Sequence, residues 1–282
     1  MAMWDTFESR LVITARLVAA SAVRVGAGGD QSALPSASNL PVLVGPDDRP
    51  FIPGSSLRGV VRSQVERIVR ALEDTHGHGR GACNPVVKDE WCVKKDRMDE
   101  LRDAARDDDR ALANSVWDES CRVCRAFGNP WLASRIRIGD LPLCEAAGPL
   151  IEPRDGVAIN RDKETVENKY DFEVVPRFAA FDLHITGENL DGAERGLLWL
   201  GLCELNAGHV LLGGFKGRGL GQVRMEEIHF WGVDRKDREA LRRYLLRSRL
   251  DETPLVQAED WLEALWKDMD HAEASDARTA VQ

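Results

Sequence analysis

The chain has 282 residues, 43% of them hydrophobic and 30% charged, with a formal net charge of -9; that is enough apolar material for one large core with insertions. No stretch approaches the roughly 18 uninterrupted apolar residues of a membrane helix, and the opening MAMWDTFESRLVITARL has no secretory pattern, so no membrane and a cytoplasmic location are expected. In that reducing compartment the six cysteines are expected to be reduced, and the clustered ones point to metal rather than disulfides.

Residues 10–25 (RLVITARLVAASAVRV) read as a strand that enters the glycine-rich GAGGD. Residues 26–50, rich in Gly, Ser, Pro and Asp, read as a long loop of the kind that is more often functional or disordered than idle. A helix follows, with Ser55 or Ser56 as its cap and Leu57, Val61, Val65, Ile68 and Leu72 along one face. From His76 to Pro130 the pattern changes to that of an insertion: four cysteines, two tryptophans and a charged segment that reads as an exposed helix. A strand is expected at 134–143, a projecting polar hairpin at 152–172, strand signals again in FEVVPRFAAFDLHITGE, and a helix at 192–207. The glycine-rich GGFKGRGLGQV precedes a last strand around 222–230, and 235–271 reads as two amphipathic helices, with fraying expected from about Ala272. This order is that of a ferredoxin-like β-α-β-β-α-β fold.

The negative charge is local. Residues 251–282 hold nine acids and two bases, and residues 83–120 hold eleven acids and seven bases. The rest of the chain is slightly basic, so a cationic groove for nucleic acid remains open.

Several segments carry chemistry. The start of the 57–72 helix offers N–H groups and a positive dipole end suited to phosphate, with Arg58 and Arg62 on one face; a capped surface helix with two exposed arginines is the plainer alternative. GGFKGRGLGQV has five glycines in eleven residues, which lets backbone approach a ligand beside Lys216 and Arg218, and it lacks the GK[ST] ending of a Walker loop. The hairpin tip, from Arg161 to Lys169, includes Val166, which with Tyr170 is able to wedge between bases. Cys121 and Cys124 have the CxxC spacing of a zinc site; Cys83 and Cys92 are the looser second pair, with His76 or His78 as possible replacements for one member. Closed four-ligand sites are usually structural, and reduced, buried cysteines are the plainer alternative. Cys144 and Cys203 read as core residues, His184 and His209 as structural histidines among apolar neighbours, and Trp199, Trp231 and Trp261 as core or interface residues.

Four segments in order, PFIPGSSLRGVVRS (50–63), CRVCRAFG (121–128), RDGVAINRDKETVENKYDFEVVP (154–176) and GGFKGRGLGQV (213–223), together resemble the RAMP superfamily, specifically the Cas-seven-type backbone subunits of type III CRISPR complexes. The resemblance runs from about residue 10 to 230. It implies an α+β fold with an RRM/ferredoxin-like palm, a zinc-containing insertion at 76–130 and a thumb hairpin at 152–176, all within residues 1–250, followed by an acidic C-terminal helix and tail at 251–282. It also implies copies stacked head to tail along a CRISPR guide RNA, with other subunits of an effector complex and a paired target RNA as further partners. Guide contacts fall on Arg58, Arg62, Lys216, Arg218, Arg161 and Val166. The family's catalytic aspartate lies in the loop after the first strand, which places it at Asp30, eleven residues before Pro41. That carboxylate, with Mg, would promote attack of a 2′-hydroxyl on the adjacent phosphate; taken alone, Asp30 is a turn residue beside two glycines, and Asp47 and Asp48 read as solvated turn positions. The charged KETVENK departs from the shorter apolar or glycine-rich thumb tips of the family. A non-catalytic scaffold subunit and a RAMP endonuclease that processes precursor guide RNA are the competing readings.

Overall fold

The computed structural model describes residues 5–26, 38–160, 162–253 and 257–279. Asp30 and Arg161 therefore lie outside the described residues.

Strand β1 (Ser9–Ala19) is the hub of the main sheet. Leu11, Ile13, Ala15, Leu17 and Ala19 are all buried on one face, the two-residue period of a strand lying against a core. On either side β1 pairs antiparallel with β7 (Ala180–Glu188) and β8 (Val223–Asp234). Beyond β7 lie β4 (Leu141–Glu145) and then the short β2 (Phe51–Ile52), while β9 (Asp251–Thr253) extends the sheet past β8. The short β3 (Ile136–Ile138) also pairs with β7. Helix α1 (Gly54–Leu72) falls between β1 and β4 in the chain, and α5 (Gly192–Asn206) between β7 and β8. The long strands thus stand in the order β4-β7-β1-β8, all antiparallel, an α+β arrangement with the expected β-α-β-β-α-β succession. The single strand expected at 134–143 is instead two, interrupted at Gly139 and Asp140, and β9 carries no signal long enough to predict.

The interruption has a use. Neither Ser55 nor Ser56 caps α1; Pro53 occupies the cap position without a side-chain bond, and the Gly54 N–H donates to Asp140 Oδ1 at 2.8 Å. Gly54 must be glycine, because a Cβ there would lie 2.1 Å from the Ile138 carbonyl oxygen. The apolar face of α1 (Leu57, Val61, Val65, Val69) shares one core with the buried face of β1 and with Leu197, Leu198, Leu202 and Leu205 of α5. Helix α5 is apolar on nearly all sides because it lies between α1 and α7 (Gln257–Thr279). Trp199 and Trp261 meet Phe230 edge-on, at 5.2 and 5.1 Å between ring centroids.

Between α1 and β3 come α2 (Lys95–Ala105), α3 (Asp109–Glu119) and α4 (Arg122–Phe127). The one exposed helix expected here is two. Arg106 and Asp107 take left-handed backbone angles, and the Asp108 carboxylate restarts the helix by accepting from the Arg110 and Ala111 N–H groups. Val93, Met98, Leu101, Val116 and Leu132 form a small core of their own. Strands β5 (Glu152–Asn160) and β6 (Thr165–Val174) form a separate two-stranded hairpin. After β8, α6 (Arg238–Arg247) precedes β9, and α7 continues to Thr279, past the residue at which fraying was expected. No helix among the described residues is long and apolar enough to cross a membrane.

Candidate metal centre and nucleic-acid interface

Cys121 precedes α4 and Cys124 lies in its first turn, so the CxxC spacing turns both sulfurs to one side. The chain between α1 and α2 brings Cys83 and Cys92 to the same place, and the four Sγ atoms all lie within 4.8 Å of one another. Tetrahedral zinc with Zn–S bonds of about 2.3 Å holds its sulfurs about 3.8 Å apart, so the cluster has the size of such a site; Cys83 and Cys124 are 3.5 Å apart. Neither His76 nor His78 belongs to the cluster, and both are exposed. Three sulfurs accept hydrogen bonds: Cys121 from the Cys83 N–H (3.5 Å), Cys124 from Arg62 Nη2 (3.6 Å) and Cys92 from Asn129 Nδ2 (3.9 Å). Without metal the thiols divide their protons unequally. Hydrogen bonding from Cys121 and Cys124 lowers Cys83 to about 7 and pushes Cys92 far down, while bonding to Cys121 and Cys83 pushes Cys124 up. Four sulfurs of this geometry, three of them buried, suit a closed metal site that organises structure.

A cavity of about 350 Å³ opens beside the cluster, between Arg58 and Arg62 on α1 and the apolar walls of Pro85, Trp91, Phe127 and Leu132.

The second assembly is built around the glycine-rich turn. Gly213 and Gly221 have positive φ and pass so close to the Arg24 and Leu212 carbonyls that a Cβ would lie 2.2 and 2.3 Å away. Phe215 is also left-handed, at φ 58°, and the short 3-10 turn Lys216–Arg218 carries both cations at an exposed tip. The Phe215 ring receives two guanidinium groups, Arg24 at 4.9 Å and Arg218 at 4.8 Å. Arg218 also bonds the Tyr170 hydroxyl, and Phe172 meets Phe215 edge-on at 4.9 Å. The root of the β5–β6 hairpin therefore rests on the glycine-rich turn. The loop that contains Asp30 begins and ends at this root: Gly26 bridges Val42, Leu40 bridges Phe172, Val23 bridges Val175, and the Val42 N–H donates to Glu173 Oε2 at 2.9 Å. Burial lowers the pKa of Arg24, whose Nε is buried with no hydrogen-bond partner among the described residues.

A family model of the RAMP superfamily matches residues 16–224, most of the chain. The chain belongs to the RAMP superfamily. No curated protein matches it. Membership carries a CRISPR-associated, RNA-binding function exercised in multi-subunit complexes, and some RAMP proteins are endoribonucleases.

In this RAMP protein the residues singled out from sequence fall in three places. Lys216, Arg218 and the hairpin root come together. Arg58 and Arg62 stand apart, against the cysteine element: Arg58 donates to the Phe127 carbonyl, and Arg62 is bonded to Glu66, the Gly128 carbonyl and Cys124. Val166 is exposed on β6 just past the hairpin turn, Val157 is less exposed on β5 opposite Lys169, and Tyr170 sits at the root. Asp47 and Asp48 are exposed in a turn. His184 and His209, expected among apolar neighbours, are both exposed; His184 points off the strand face opposite the core, and His209 bonds Glu204 at 3.2 Å. Cys144 and Cys203 are only partly buried. Sequence reasoning missed Arg24, and it passed over Phe215 and Phe172 inside the segments it quoted, because their role arises only where three distant segments meet.

Proposed function

We propose that this RAMP protein is a Cas-seven-type backbone subunit of a type III CRISPR ribonucleoprotein. It grips guide RNA along a head-to-tail assembly and cleaves the paired target RNA through Asp30, with Mg. The observation that carries this reading is the convergence of the hairpin root, the cationic glycine-rich turn and both ends of the Asp30 loop in a RAMP chain. Lys216 and Arg218 meet guide phosphates, which makes binding independent of sequence, while Val157 and Val166 present an apolar edge for insertion between bases. Guide–target pairing supplies the specificity. The Asp30 carboxylate positions the metal or the attacking 2′-hydroxyl, and zinc on Cys83, Cys92, Cys121 and Cys124 holds the 76–130 insertion together.

The test is cleavage of labelled target RNA by the guide-loaded assembly with Mg, comparing wild type with Asp30→Ala. Cutting at regular intervals by wild type, with binding but no cutting by the variant, is the expected result. If neither protein cuts while both bind guide and target, the chain is a scaffold.

A further inference from the structure

Helix α1 turns one charged stripe toward the cysteine cluster. Arg58, Arg62, Glu66 and Arg70 recur at every fourth residue and so share a face. Each arginine on it donates to a backbone carbonyl of the cysteine element: Arg58 to Phe127, Arg62 to Gly128 at 3.0 Å and Arg70 to Cys83 at 3.0 Å. Phe127 and Gly128 close the helix that carries Cys124, so these bonds fix two of the three sulfur-bearing segments. Glu66 is 5% exposed and lies between the two later arginines, 2.7 Å from Arg62 and 3.9 Å from Arg70.

Arg62 reaches one atom further, to Cys124 Sγ. Of the three groups that donate to a sulfur here it is the charged one, since the other two are a backbone N–H and the Asn129 amide. Four thiolates around a divalent cation carry two net negative charges, which are costly to keep away from water without a cation held beside them. The stripe provides three arginines against one glutamate, two net positive charges on the matching side. All three nitrogens of the Arg62 guanidinium are committed, Nε to Glu66, Nη1 to Gly128 and Nη2 to Cys124. Two of the five guanidinium N–H groups are left, on a side chain only 17% exposed, so Arg62 has little to offer an RNA phosphate beside these partners.

We infer that Arg62 serves the metal rather than RNA: it holds the Cys124 thiolate and locks α1 onto the cysteine element. The inference rests on the metal reading of the four cysteines and stands apart from the RNA reading.

The test uses the full-length chain and two substitutions, Arg62→Gln and Arg62→Lys. Zinc affinity is measured by competition with a chromophoric chelator, the sulfur-to-cobalt absorption band is recorded on Co-loaded protein, and RNA affinity is followed over a salt series at saturating zinc. Losing an outer partner of a metal ligand raises the metal Kd about 10- to 100-fold, so Arg62→Gln is expected to do this and to shift the cobalt band. Arg62→Lys, which keeps the charge without the fork, is expected to fall between it and wild type. The salt slope of RNA binding is expected to be unchanged. An unaltered zinc Kd in Arg62→Gln overturns the inference, as does a slope shallower by about 0.7, the signature of one lost contact to single-stranded phosphate. If Arg62→Gln does not fold, Arg62→Lys decides by the same two readouts. A wild type that takes up neither zinc nor cobalt sinks the metal reading and this inference with it. A wild type that binds metal but no RNA leaves the metal arm to decide alone.

Discussion

Cys83 and Cys92 are separated by eight residues, a spacing that names no metal site by itself, and what makes them a pair is the fold around Cys121 and Cys124. Elemental analysis is expected to find about one zinc per chain, and Cys124→Ser to lose it along with stability. Acidity should act the same way, because the metal needs thiolates. With Cys83 near 7 and Cys124 pushed above its ordinary value, protons compete for the site throughout the neutral range. Zinc affinity is therefore expected to rise from about pH 6 to about pH 8 and to fall as the thiols are protonated; a flat profile in the chelator competition would count against four cysteine ligands. Beside the cluster, Arg122 forms a bidentate pair with Glu73, both nitrogens at 2.9 Å and both side chains almost fully buried, and it also bonds Asp268 of α7. One side chain thus joins the end of α1, the cysteine element and the C-terminal helix.

At the scale of elements, α5 decides how closely the helices pack. Two of its three glycines face opposite neighbours: a Cβ on Gly201 would lie 2.7 Å from Val61 Cγ1 and 3.1 Å from the Val61 carbonyl of α1, and one on Gly196 would lie 2.3 Å from the Trp261 carbonyl of α7. Glycine here brings backbones together; helix propensity alone would favour alanine at both positions. Gly201→Ala is expected to destabilise the fold by about 1–3 kcal/mol, as overpacking of a filled core does. Urea unfolding measures this, and a neutral or stabilising result would mean that α1 and α5 slide apart at little cost.

Across the whole molecule, the hairpin and the glycine-rich turn occupy one region and the cysteine element another, and α1 runs from the sheet to the second. The hairpin joins the rest of the chain at its root, through Phe172, Val174, Ala22 and Leu220. Replacing its outer part, residues 157–169, by a short turn is therefore expected to leave the unfolding transition nearly unchanged while weakening RNA binding. The double substitution Lys216→Ala, Arg218→Ala is expected to weaken binding to every RNA sequence alike and to flatten the salt dependence by about 0.7 per lost phosphate contact. An unchanged slope would remove the glycine-rich turn from the interface.

Local periodicity and motif order determined much from sequence alone. The alternation of Leu11 to Ala19 and the stripe of Leu57, Val61 and Val65 name a strand and a helix, because burying one face imposes a period of two or 3.6. Four short segments in order sufficed for the family, and CxxC pointed to a cysteine cluster that could hold a metal. Asp30 remains a reading from sequence. Tertiary structure decided which partner each polar group takes. Asp140 replaces Ser55 and Ser56 at the start of α1, Cys92 completes the cluster without His76 or His78, and Arg62 turns inward to Cys124 while Arg218 reaches the hairpin. These pairings join residues up to 86 positions apart. Spacing along the chain carries no trace of them, because they form only when packing has closed the intervening loops.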